Sequence, residues 1–200
     1  MGEGELQRMI CELLRPMLAR FLADQGRVAH VGADTFFYLR KGEPSQVIAP
    51  DVYVLDGVPQ ERLARSYKMW EGTPPPVVAI EVVSRDIAKD YDDAPRIHEA
   101  LGTRELIVFD PEPGGRRRVS WQVFRRSARG VLDLVRRTDA DRVACRSLGC
   151  WLRSVGEGDE LRLRIGVGPR GKAIVPTQEE RLTARVRKLE AKLRSRPLAP

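Results

Sequence analysis

Leu6, Met9, Ile10, Leu13, Leu14, Met17, Leu18, Phe21 and Leu22 recur at three- and four-residue intervals, the stripe of a helix packed on something larger. Gly26 stands shortly past its end. The period then changes. DTFFYLR (34–40) and QVIAPDVYVL (46–55) are rich in β-branched and aromatic residues, with Gly42 and Pro44 between them, which predicts two antiparallel strands joined as a hairpin. RLARSYKMWEG reads as a short helical or irregular crossing that Pro74-Pro75-Pro76 ends. VVAIEVVS (77–84) is a nearly continuous apolar run interrupted by one charge, Glu81, the pattern of a central strand covered on both faces. Helical spacing over 89–101, Gly102 in the C-cap place and the apolar ELIVFD (105–110) follow. Strand, helix, strand in this order predicts a right-handed crossover and a mixed or parallel sheet.

Beyond Pro113-Gly114-Gly115 the pattern alternates. Val119, Trp121 and Val123 precede a turn at Ala128-Arg129-Gly130, then Leu132 and Leu134. WLRSV and LRLRI flank Gly156-Glu157-Gly158 as a second such pair, giving a β-rich C-terminal half. Thr177 and Glu180 have capping-box spacing, and Leu182, Val186, Leu189 and Leu193 step by four, three and four residues along a tail helix. The expected organisation is one domain over 1–172 and an amphipathic, coiled-coil-like helix over 177–195, with the last residues, Pro197 to Pro200, frayed.

Composition narrows the partners. At 200 residues, 42% hydrophobic and 32% charged, the chain suits one globular domain plus a short appendage. Thirty-five Lys+Arg against 28 Asp+Glu leave +7, a surface attractive to phosphates, although only six of those cations are lysines and an Arg-rich composition also follows from genomic bias. Cys11, Cys145 and Cys150 are odd in number and lack the two-residue gap of a zinc knuckle or redox dithiol, which points to a reducing compartment and against structural zinc. Glu3 and Glu5 stand where a secretory signal wants positive charge, and no apolar run approaches the roughly 18–20 residues of a membrane span. A cytoplasmic protein with no membrane partner is expected.

The informative chemistry is a pair of acids in apolar strands, Asp51 in APDVYVL and Glu81 in AIEVVS. Burying a carboxylate among Val and Ile costs several kcal/mol unless cations or donors compensate, so acids that persist there point to a ligand. Two carboxylates select a hard divalent cation, Mg²⁺ with Mn²⁺ as substitute. The plainer alternative makes Asp51 a turn residue after Pro50 and pairs Glu81 with one of many arginines.

The order of these pieces resembles a family. VIAPDVYVL, RSYKMWEG, PPPVVAIEVVS, a helix ending HEALG, and RELIVFDP, over residues 47–111, are similar to the Uma-two endonuclease family of the PD-(D/E)xK nuclease superfamily. The ADTFFYLRKGEPSQV hairpin, LGCWLRSVGEGDELRLR and the PTQEERL entry to the tail extend the likeness over most of the chain. The resemblance implies an α/β fold, a restriction-endonuclease-like mixed sheet core flanked by helices. It implies that Asp51 and Glu81 bind Mg²⁺ beside a scissile phosphate, where the metal polarises the phosphoryl oxygen and activates water.

A lysine normally completes that set, and here the sequence departs from the pattern. Two residues after Glu81 stands Val83; four residues after Asp90, where this family carries its lysine, stands Ala94. Lys89 is the candidate replacement, and Arg85 and Arg96 are candidate nucleic-acid contacts; an arginine supplies charge without easily moving a proton. His98, one turn from Ala94, is a minor candidate for the site. The arginines at 116–118, 125–126 and 136–137 border the alternating strands, as phosphate contacts or as edge cations against aggregation. Three readings follow, the last of them a purely structural interaction module. The first is a Mg²⁺-dependent endonuclease that hydrolyses DNA from a degenerate active site. The second is a catalytically impaired nucleic-acid-binding or assembly protein on the same fold, a second copy joining through the tail helix.

Overall fold

The computed structural model describes residues 4–62, 64–114 and 118–194. The first apolar stripe is helix α1, Glu5–Asp24, which buries Ile10, Leu14, Met17, Leu18, Phe21 and Leu22. Strands follow as β1 (Ala29–Gly32), β2 (Phe36–Tyr38), β3 (Val47–Ile48), β4 (Val52–Asp56), β5 (Ser66–Lys68) and β6 (Val78–Val82). A π-helical turn, Lys89–Asp93, leads into α2 (Ala94–Leu101). Then come β7 (Glu105–Phe109), β8 (Trp121–Arg126), β9 (Leu132–Thr138), β10 (Arg142–Cys145), β11 (Cys150–Val155), β12 (Arg162–Val167), β13 (Ala173–Ile174) and α3 (Gln178–Arg194).

The main sheet is mixed, in the order β1-β4-β6-β7-β8-β9. β6 and β7 lie parallel in its centre, joined through α2, and every residue of both is buried. That explains their continuous apolar runs, since a strand covered on two faces has no solvent side to make polar. α2 ends where Gly102 takes a left-handed conformation at φ 90°, which a side chain would resist. On one face of the sheet Val52, Val54, Val78, Ile80 and Val82 share a core with α1, and Leu152, Leu163 and Ile165 of a second sheet, β10-β11-β12-β13, join the same core. Gly32 is required at the sheet edge: a Cβ there would stand 2.2 Å from the Tyr53 hydroxyl.

Two expectations are corrected. The run over 46–55 is not one strand. Val47–Ile48 pairs with β2 in a small third sheet, while Val52–Asp56 enters the main sheet beside β1 and β6. Pro50, with no N–H to give a ladder, sits at the break, and its carbonyl instead receives the Asp34 N–H at 3.0 Å. The crossing before the prolines contains β5, parallel to β2, followed by a single 3₁₀ turn. Arg116, Arg117 and the residues from Ser195 onward lie outside the described residues.

Candidate active site

The break at Pro50 and the end of β6 together build a polar corner. Val52 pairs with Ile80 in the antiparallel β4–β6 ladder, so one further step sets Asp51 opposite Glu81. Asp51 is 8% and Glu81 6% exposed. The Asp51 Oδ2 accepts the Val82 N–H at 2.7 Å and the Gln7 Nε2 of α1 at 3.0 Å. Glu81 turns toward α2, where its Oε1 meets His98 Nε2 at 2.7 Å, and His98 Nδ1 lies 2.9 Å from Thr103 Oγ1.

Among the described residues no arginine or lysine is bonded to either acid. Burial, and next the charge of Glu81, push the Asp51 carboxyl up to about 8; burial likewise pushes Glu81 up to about 8, opposed by the charge of Lys89. Burial pushes His98 down to about 3. The Glu81–His98 contact has the length of an ion pair, but burial drives both partners to their neutral forms, so it is a neutral hydrogen bond at pH 7.

A cleft of about 630 Å³ opens on Asp51, lined by Gln7, Asp34, Ala49, Ser84, Arg85, Asp86 and Lys89 among others. Lys89 and Arg85 are exposed there. The π-helical turn aims Lys89 at the cleft while burying Asp90, whose Oδ2 accepts the Ser84 N–H and hydroxyl at 2.6 and 2.8 Å and so fixes the end of β6. Such π turns recur at functional sites. Arg96 lies outside that lining, exposed and 3.9 Å from Asp93. Val83 and Ala94, the two places for a lysine, are both 5% exposed. A larger groove of about 990 Å³ runs along β1 and α1 past His30, whose Nδ1 sits 3.2 Å from the Gln60 carbonyl, and none of these acids lines it.

Three of the arginines expected at the strand edges are internal fasteners. Arg118 clasps Asp110 with two bonds, Arg125 binds Glu105 and the Ala144 carbonyl, and Arg126 reaches the carbonyls of His98, Glu99 and Thr103 at the end of α2.

Gln7 and Asp34 join the site without any local signal in the sequence. Gln7 is hidden in the α1 stripe, yet its Oε1 is a buried oxygen with no hydrogen-bond partner among the described residues. Asp34 holds a left-handed φ of 49°, a conformation that Asp and Asn adopt more readily than other non-glycine residues.

A mixed sheet with a Pro-Asp acid at one strand's start and a glutamate across from it is the arrangement that the resemblance to the restriction-endonuclease-like class implies. Within that class the chain belongs to the Uma2 family, whose model, described as "Uma2: Putative restriction endonuclease", matches residues 1–152. A crystal structure described as "a putative nuclease belonging to DUF820" from Anabaena variabilis ATCC 29413 is similar at 17% identity with a TM-score of 0.48, over 74% of this chain and 75% of that one. No curated protein matches.

Proposed function

We propose that the protein is a divalent-cation-dependent endonuclease that hydrolyses phosphodiester bonds in DNA, slowly, at the Asp51 cleft. The observation that carries this reading is a pair of buried acids at facing positions of two strands, Asp51 lining the cleft and Glu81 behind it, with no arginine or lysine among the described residues bonded to either. Membership of a family described as restriction endonucleases supports it, as does a formal charge of +7 for a polyanionic partner. We also place the protein in the cytoplasm, where its three buried cysteines stay reduced.

The donor set fits Mg²⁺ or Mn²⁺. Among the described residues no three His, Cys, Asp or Glu side chains converge as a metal cage, but magnesium keeps waters and takes only one or two carboxylates. Asp51 and Glu81 would hold it, and the unpartnered Gln7 Oε1 adds a neutral oxygen beside them. Bound there, the cation supplies Lewis-acid polarisation of the phosphoryl oxygen and a more acidic water. The chain's own residues do the rest. Gln7 and the Val82 N–H orient Asp51, while His98, itself held by Thr103, orients Glu81. Lys89 brings the positive charge that Val83 and Ala94 lack, and Arg85 offers the strand a phosphate contact at the cleft rim.

One observation favours the second reading, binding without turnover: Glu81 is engaged by His98 rather than facing the cleft. Plasmid nicking with Mg²⁺ and Mn²⁺ decides between them. Wild type is expected to nick slowly and Asp51→Ala to lose that activity. Lys89→Ala should fall by about 10²-fold, the scale of one preorganised charge-stabilising group. Ala94→Lys should gain rate, because position 94 is one turn from His98 on the buried face of α2. Nicking by Asp51→Ala at the wild-type rate would overturn the proposal.

A further inference from the structure

The tail helix shows its apolar residues to solvent. Leu182, Val186, Leu189 and Leu193 are 54, 52, 52 and 69% exposed, and α3 buries no residue. Its first turn is nonetheless fixed to the core. Thr177 and Glu180 close the expected capping box, at 2.7 and 3.1 Å, Arg164 binds Glu180 at 2.6 Å, and Arg181 reaches Asp24 of α1 at 3.1 Å. A helix anchored at one end with a bare seam is preorganised to receive another helix.

The seam itself says which. Steps of four, three and four put Leu182 and Leu189 at d positions of a heptad, and Val186 and Leu193 at a positions. A β-branched residue at a with Leu at d favours two parallel strands. In this register Arg185 is a g residue and Glu190 the e residue five places on, and these two positions face each other across a parallel pair. Antiparallel pairing would bring g edges together instead, Arg185 against the partner's Lys192, like charge against like.

We propose that α3 pairs with α3 of a second copy of this chain as a parallel, in-register two-stranded coil, Arg185 of each copy set against the partner's Glu190. This rests on the reading that the tail helix self-associates, and it is independent of the cleft chemistry. The association is weak and reversible, because the seam covers fewer than the roughly three to four heptads that sustain an isolated coil, and Glu179 occupies the preceding a position.

Sedimentation equilibrium of the full chain over a range of concentrations tests it. Wild type should dimerise with concentration and Leu189→Asp should be monomeric. Arg185→Glu, which places acid against acid, should weaken the dimer about tenfold, and adding Glu190→Arg to it should restore the wild-type affinity. Strengthening by Arg185→Glu would overturn the parallel arrangement alone. A wild type that stays monomeric, or a Leu189→Asp dimer as tight as wild type, would overturn self-association through the tail altogether, including the case in which the helix packs on its own domain.

Discussion

Glu81 and Glu105 lie on the two central parallel strands, both buried, in opposite electrostatic settings. Glu105 receives the Arg125 guanidinium at 2.8 Å and the N–H groups of Ser147 and Arg146 at 2.8 and 3.2 Å. It binds the main sheet to the β10–β11 turn. Asp110 is held by Arg118 in the same style. Around Asp51 and Glu81 the donors are neutral: an amide, a backbone N–H and an imidazole. Burial then drives both carboxyls toward their protonated forms. A buried acid with its own cation serves the fold, whereas one without is a carboxyl that a ligand bringing a cation can deprotonate and bind.

The comparison breaks most visibly in stability. Glu105→Ala should cost about 3–5 kcal/mol, because it strands a partly buried guanidinium and two N–H groups, measured by urea unfolding. Asp51→Asn should cost nothing at pH 8. An equal loss from the two substitutions would erase the distinction between them.

A smaller effect, roughly 2 kcal/mol for each acid between pH 6.5 and 8.5, is expected in the pH dependence. Between the unfolded carboxyl values, 3.8 and 4.5, and about 8, the folded protein keeps protons at Asp51 and Glu81 that the unfolded chain has released. Stability therefore falls as pH rises through that window. His98 acts in reverse between about 3 and 6.5, where the unfolded chain takes up a proton that the buried ring refuses. Above pH 6.5 only the acids remain, so wild type should lose stability from pH 6.5 to 8.5 and Asp51→Asn should lose less. Parallel pH profiles for the two proteins would contradict the electrostatic account.

Much of this was legible in the chain, for identifiable reasons. α1, β6, β7 and α3 announce themselves because each repeats one period long enough to be read, and the buried charges of Asp51 and Glu81 stand out against apolar flanks. β1, β10 and β13 are four, four and two residues long, too short to impose a period. The partition of residues 46–56 between two sheets depends on what lies opposite, which no local pattern records. The same holds for Glu105, whose apolar neighbours resemble those of Glu81 although its partner Arg125 comes from another strand. Gln7 was invisible because its role depends on Asp51, 44 positions away.

The central claim is that Asp51 and Glu81 await a divalent cation, and Mn²⁺ titration calorimetry on wild type and Asp51→Asn tests it most directly. Because the cation must displace protons from carboxyls that titrate near 8, the account predicts Mn²⁺ binding to wild type with proton release. That binding should tighten from pH 6.5 to 8 and disappear in Asp51→Asn. Equal heats from both proteins, or binding indifferent to pH across that range, would contradict it.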